Sequence, residues 1–225
     1  MLGTIVNTVA ILMGSLIGLL FSKGINKNYE ETIMIAISLV VLVIGIEGAL
    51  AYENMLLVIA SLVIRSIIGE SLKIEKKLNG LGDFLESKFK KASNVSTAFV
   101  SSSLIYCVGA LAIVGSLESG ISGNHNTLFA KSMLDGISSI IFASALGVGV
   151  MFSALSVFLY QGTITLLASF LKPIFTTVLI NEISAIGGIL IMAIAINMMN
   201  IKKIKIGNML PSIFIPILYY LIIGL

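Results

Sequence analysis

The stretch "DGISSIIFASALGVGVMFSALSVFLYQGTITLLASFLK", Asp135–Lys172, carries a formal charge at each end and none at positions 136–171. As one helix, those 36 residues would reach roughly 54 Å, against a bilayer hydrocarbon core of about 30 Å. That is too long for one crossing. Two full crossings with a turn need slightly more residues than are present. The spacing therefore predicts two membrane helices joined by a tight turn at "GVG", Gly147–Gly149, where glycine supplies backbone angles that other residues resist. The first helix of the pair must be short or must draw Asp135 into the membrane.

The rest of the chain extends this reading. Of its 225 residues 57% are hydrophobic and only 11% are charged, with a mean hydropathy of +1.09. A soluble domain averages about 25% charged residues. With so few charges the chain must use lipid as its outer solvent, so the fold class is all-α, a polytopic transmembrane helix bundle. A β-barrel would show short alternating segments instead. Tryptophan is absent, which leaves tyrosine to supply any interfacial aromatic belt. Cys107 is the only cysteine, which excludes an intrachain disulfide and a zinc cluster. The first residues, "MLGTIVNTVAILMG", lack a basic leading region and an A-x-A-like site, so they are expected to be a retained span and not a cleaved signal.

Apolar runs place further spans at Thr4–Phe21, Thr32–Leu50, Met55–Ile68 (extending toward Leu72), Ser96–Val114, Ile183–Met199 and Asn208–Leu225. With the pair around Gly147–Gly149 the count is about eight membrane segments in a single membrane domain, residues 1–225. Lysine placement favours eight over seven. Lys23 and Lys27, the group Lys73, Lys76, Lys77, Lys88, Lys90 and Lys91, and the group Lys202, Lys203 and Lys205 then share one side, which holds 11 of the 14 Lys and Arg. By the positive-inside rule that side is the cytoplasm, and both termini lie outside. Residues 71–94 read as an amphipathic cytoplasmic connector on the inner leaflet, broken near Gly80–Gly82.

The topology has a symmetry. Spans 1–3 begin outside and spans 6–8 inside, so residues 1–70 and 146–225 are candidate inverted repeats, an arrangement common in secondary transporters. Glu31/Glu182, Ile35/Ile186 and Leu39/Leu190 hold the same offset.

Polar groups within the apolar runs are expensive and are expected to face the bundle interior. These are Asn7 in span 1, Gln161 in span 6 and Asn197 near the inner end of span 7. Gly14 and Gly18 in span 1 read as a close-packing face, within the monomer or across a dimer. Arg65 is expected to snorkel or to pair with a carboxylate, and Pro216 to kink span 8. The most polar interruption is "VGSLESGISGNHNTLFAKSMLDGISS", Val114–Ser139. Lys131 and Asp135 are four apart and share a helical face. Gly115, Ser116, Gly120 and Gly123 are expected to weaken helix before them. Two readings stand here: a wet outer loop with a helix starting at Ser132, or a half-buried site on a discontinuous helix. The shortage of residues after Asp135 favours the second.

These stretches resemble the DUF554 family of bacterial membrane proteins along the whole chain. The specific parts are "CVGALAIVGSLESG" (Cys107–Gly120), "KSMLDG" (Lys131–Gly136), "LGVGVMFSALSVFLYQG" (Leu146–Gly162), "GGILIMAIAINMM" through "NMLP" (Gly187–Pro211), and "GTIVNTVAILMGSLIG" near the N-terminus. The resemblance implies a multi-pass protein of the bacterial inner membrane, for which transport is the usual suggestion. It implies no substrate.

The chain lacks G-x-x-x-x-G-K-[ST], H-E-x-x-H, C-x-x-C and G-x-S-x-G motifs, and one His cannot build a His-based metal cluster. Neither an enzyme nor a cofactor nor a metal site is expected, and there is no soluble domain to bind nucleic acid. The expected function is secondary transport of a small polar or charged solute or ion by alternating access. The expected site draws on Asn7, Gly115, Ser116, Glu118, Lys131, Asp135, Gln161 and Asn197. Lys131 and Asp135 would bind or couple ions, Gly115, Ser116 and Gln161 would line the site, and Asn7 and Asn197 would come from the two repeats. A homodimer is the expected assembly. A passive channel, or a non-transporting membrane scaffold or sensor, is the alternative.

Overall fold

The computed structural model describes residues 1–22, 27–77, 80 and 95–223. The lysines at 23, 88, 90 and 91, and most of the connector, lie outside the described residues. The helices are α1 (Leu2–Ser22), α2 (Lys27–Ala49), α3 (Met55–Ser71), α4 (Val95–Cys107), α5 (Ala110–Ile121), α6 (Asn126–Leu146), α7 (Gly149–Leu166), the short α8 (Ala168–Leu171), α9 (Thr177–Met198), the short α10 (Ile206–Met209) and α11 (Phe214–Ile223), with a 3₁₀ turn at Leu210–Ile213. Among the described residues five helices are long and apolar enough to cross a membrane: α1, α2 from Thr32, α6, α7 and α9. The pair α4–α5, bent by 61°, makes a sixth if it counts as one span.

Glycine sets how the long helices meet. A Cβ on Gly14 would lie 2.2 Å from the carbonyl oxygen of Gly136, and one on Gly18 would lie 2.3 Å from that of Ile140. These contacts run in register, so α1 and α6 are parallel and touch backbone to backbone. The face read as smooth is thus used within the chain. The pair α2 and α9 is antiparallel and equally close: a Cβ on Gly188 would sit 2.2 Å from the Ala49 nitrogen and 2.6 Å from the Gly45 oxygen. Such approach suits a bilayer, where lipid gives no hydrophobic drive to helix association and close packing must supply it. The main core, with Ile11, Val41, Ile186 and Leu190 fully buried, lies where these helices meet α4 and α7. Outward stripes such as Leu2, Val9, Met13, Leu16 and Leu20 on α1 stay exposed and form the lipid-facing side.

Gly147 ends α6 at φ +83°, and α7 starts at Gly149. The turn therefore falls where the uncharged stretch required it. The shortage of residues is met by drawing charge inward, because α6 begins at Asn126 and carries Lys131 and Asp135 within its length. A helix start at Ser132 is corrected accordingly. So is the expectation of weakened helix over 115–123. Gly115 and Gly120 lie inside α5, and only Ser122–His125 is non-helical. These glycines admit neighbours: a Cβ on Gly120 would lie 2.2 Å from the Thr165 oxygen. The discontinuity sits earlier, at Gly109, with φ +143°.

Pro216 does not kink a long helix. Pro211 opens the 3₁₀ turn, and α11 restarts at Phe214, so Pro216 falls in a first turn where its missing N–H had no helical partner to lose.

At the lysine-rich end a polar clasp joins the end of α3 to α10. Asn208 Oδ1 accepts from the Glu75 N–H at 2.8 Å, Glu75 Oε2 accepts from the Gly207 N–H at 2.6 Å, and Glu70 takes both Lys205 and Asn208 Nδ2. Lys73–Lys77 and Lys202–Lys205 therefore lie at the same end of the bundle.

Candidate functional site

Four of the sequence-predicted residues converge inside the helices. Lys131 and Asp135 are one turn apart on α6, and the Lys131 ammonium reaches both carboxylate oxygens at 2.9 Å. The glycine contact that lays α1 along α6 brings Asn7 alongside, and its Nδ2 donates to Asp135 Oδ2 at 2.9 Å. Antiparallel α7 adds Gln161, whose Oε1 accepts from Asn7 Nδ2 at 3.3 Å. Thr4 and Thr165 meet one turn along the same seam at 3.4 Å. Asn7 and Gln161 are fully buried; Lys131 and Asp135 are 7% and 6% exposed. At 1.5 Å per residue, Asp135 lies roughly 13 Å into α6, near mid-membrane for a span of about 30 Å.

The electrostatics fix the orientation of the amides. A carboxylate accepts and cannot donate, so Asn7 must turn its NH₂ toward Asp135. Its Oδ1 is left over, and so is Gln161 Nε2; both are buried without a partner among the described residues. The ion pair cancels its own charge, and the amides around it leave one acceptor and one donor unused.

The helix break adjoins this centre. Tyr106, the last buried residue before it, is hydrogen-bonded to Ser139 of α6 at 2.9 Å and stacks on Phe142 with ring centroids 6.2 Å apart. Cys107 lies within electrostatic range of both Lys131 and Asp135. The Gly109 break thus follows, three residues on, a tyrosine bonded to α6 one turn beyond Asp135, while α5 starts with Ala110 and Leu111 exposed.

The remaining four predicted residues lie elsewhere. Gly115 packs on Leu128 and Thr127, and Ser116 donates to the Ala112 carbonyl at 2.7 Å. Glu118 accepts from Thr127 Oγ1 at 2.6 Å, and neighbouring Ser119 pairs with His125 Nδ1 at 2.9 Å. These contacts brace the α5–α6 turn. Asn197 is structural: its Nδ2 donates to the Ile204 carbonyl at 2.8 Å and its Oδ1 accepts from the Ile204 N–H at 2.7 Å, which folds the segment after α9 back on the helix. Asn197→Ala should cost about 1–3 kcal/mol by leaving those backbone groups unpaired, seen as a lowered unfolding temperature with the central site intact. Among the described residues Arg65 forms no ion pair, and its Nε is buried without a partner.

Sequence reasoning did not place Tyr106, Cys107 or the Gly109 break at the site. A lone glycine in "YCVGA" is an ordinary packing residue until its φ is known. In the sequence Glu182 enters only as the counterpart of Glu31 in the repeat offset. It is fully buried, and its Oε1 accepts the backbone N–H groups of Glu53 at 3.1 Å and of Asn54.

Fold and site together define a polytopic helical membrane protein organised around a buried, amide-braced ion pair. The family model described as "Protein of unknown function (DUF554)" matches residues 2–221, and the chain belongs to that family. It is 38% identical over 220 residues to the "Uncharacterized membrane protein YdfK" of Bacillus subtilis (strain 168), covering 96% of this chain and 94% of that protein. It is 27% identical over 220 residues to the "Uncharacterized protein YqgA" of Escherichia coli (strain K12), covering 95% of this chain and 94% of that one. No solved structure matches.

Proposed function

We propose that this chain is a secondary transporter of a small polar or charged solute, working by alternating access around the Lys131–Asp135 centre. The observation that carries the reading is that ion pair, buried mid-helix beside the Gly109 break with Asn7 and Gln161 closing over it. Buried charge in a membrane is expensive and is kept where it serves a pathway. A scaffold would have no use for it. An inverted repeat accords with the packing. Each pair it would relate is in contact: α1 with α7, α2 with α9, and α3 with residues 206–213. Counting α3, the bent α4–α5 pair and residues 206–222 as crossings yields eight segments in the inner membrane with both termini outside. Cysteines introduced at Lys76 and at Tyr52, which lie toward opposite ends of α3, should then be labelled by an impermeant thiol reagent from the inside and outside respectively. Labelling of both from one side would reject the topology.

The functional test is flux in proteoliposomes against a panel of radiolabelled amino acids, carboxylates and inorganic ions, with and without a proton or sodium gradient. Gradient-driven accumulation supports the carrier. Downhill flux alone, indifferent to either gradient, favours a channel. Assembly as a homodimer is part of the proposal, and a monomeric mass in mild detergent would remove it.

A further inference from the structure

Glu182 is a buried carboxylate that the central site does not use. It lies in the second turn of α9, at the end of the bundle opposite the Lys73–Lys77 and Lys202–Lys205 groups, with no exposed surface. Its Oε1 takes the N–H groups of Glu53 and Asn54, the residues that lead into α3. Asn54 is the N-cap of that helix, its own Oδ1 accepting from Leu56 and Leu57. Glu182 thus sits at the positive end of the α3 dipole and ties the α2–α3 turn to α9. Its other oxygen, Oε2, is buried with no partner among the described residues. Among the described residues the titratable groups that act on it are Glu53, from the turn, and Tyr220, from α11. Neither brings positive charge, and among the described residues no cation forms an ion pair with Glu182. Glu53 has an exposed side chain that accepts from Asn181 Nδ2 at 2.9 Å, which places a solvent-facing carboxylate beside the buried one.

A buried carboxylate with one oxygen bare and no counter-charge needs another source of compensation. We propose that Glu182 is a proton-binding site, supplied from the surface through Glu53, whose occupation loosens the junction between α9 and the start of α3. The ionised form holds the junction through two charge-assisted hydrogen bonds; adding a proton turns both into neutral ones, which are roughly half as strong. The proton enters on Oε2 and leaves the same way, with no bond to carbon changed. The direction follows: the junction is tight at higher pH and loosens as pH falls. The inference involves no solute and stands whether or not the chain transports one.

Amide hydrogen exchange of the full chain in nanodiscs tests it, after correction for the intrinsic pH dependence of exchange. In the parent, protection of the Glu53 and Asn54 amides should fall about tenfold between about pH 8 and about pH 5. Glu182→Gln keeps the carbonyl acceptor but cannot ionise; its protection should match the low-pH parent at every pH. Glu53→Gln leaves both backbone donors in place and should keep the thermodynamic response while slowing its approach to equilibrium after a pH jump. Protection in the parent that stays flat across the range overturns the proposal without recourse to any variant, as does a pH response that survives in Glu182→Gln.

Discussion

Asp135→Asn should destabilise the protein by about 3–5 kcal/mol, the cost of stranding a buried charge whose partner is removed, and should abolish flux while the chain still inserts. Exposed pairs of the same spacing are worth only about 0.3–0.5 kcal/mol, so the size of the effect decides between a buried site and a wet loop. In the structure the Lys131 ammonium is bound to both Asp135 oxygens and the pair is more than nine-tenths buried. Asparagine offers one acceptor in place of two and no charge, so the Lys131 ammonium loses its counter-ion. Lys131→Ala strands the carboxylate instead and should be similarly harmful. The double change Lys131→Met with Asp135→Leu removes both charges and fills their volume. It should cost far less than the sum of the singles, since well-packed apolar replacements of buried pairs are often neutral in stability, and yet remain inactive. Thermal unfolding in detergent and proteoliposome flux give the two readouts. An Asp135→Asn variant that matches the parent in both would remove the site assignment.

Gly188→Ala should strongly damage the packing of α2 on α9. The added Cβ would lie 2.2 Å from the Ala49 nitrogen, 2.5 Å from the Gly48 carbonyl carbon and 2.6 Å from the Gly45 oxygen. All three are backbone atoms, so no side chain can swing aside and α2 must move as a body. Overpacking ordinarily costs about 1–3 kcal/mol, and a backbone clash belongs at the upper end. Gly162→Ala is the matched control, since its Cβ would meet nothing nearer than Met1 Cε at 3.5 Å. There the gain in helix propensity, about 0.5–1 kcal/mol, should appear undiminished. Equal unfolding temperatures for the two variants would show that α2 and α9 do not touch as described.

How much of this was legible depends on the range of the interaction. Hydropathy and charge are sums over neighbouring residues, so the helical membrane class, the Gly147–Gly149 turn and the shared end of two lysine groups could be read directly. Asn7, Lys131, Asp135 and Gln161 stood out because each is costly in lipid wherever it points. Asn197 carried the same signal and proved to be a local clasp on Ile204, since composition cannot tell a polar group that faces a pathway from one that satisfies its own backbone. The glycines misled at 115–120 for a related reason: a glycine that breaks a helix and one that admits a neighbouring helix look alike in sequence. Glu70 pairs with Lys205, 135 positions away, a partner that no local pattern could point to.

By itself the sequence determined the solvent of this protein, the helical class and the residues too polar to be left in oil, because those follow from transfer energies residue by residue. Only the tertiary structure decided which of them meet. The register between α1 and α6 is set by backbone contact at Gly14 and Gly18, and that between α1 and α7 by the seam holding Thr4 and Thr165. A shift of one turn in either, about 5.4 Å, would carry Asn7 past Asp135 and Gln161 with every local preference unchanged.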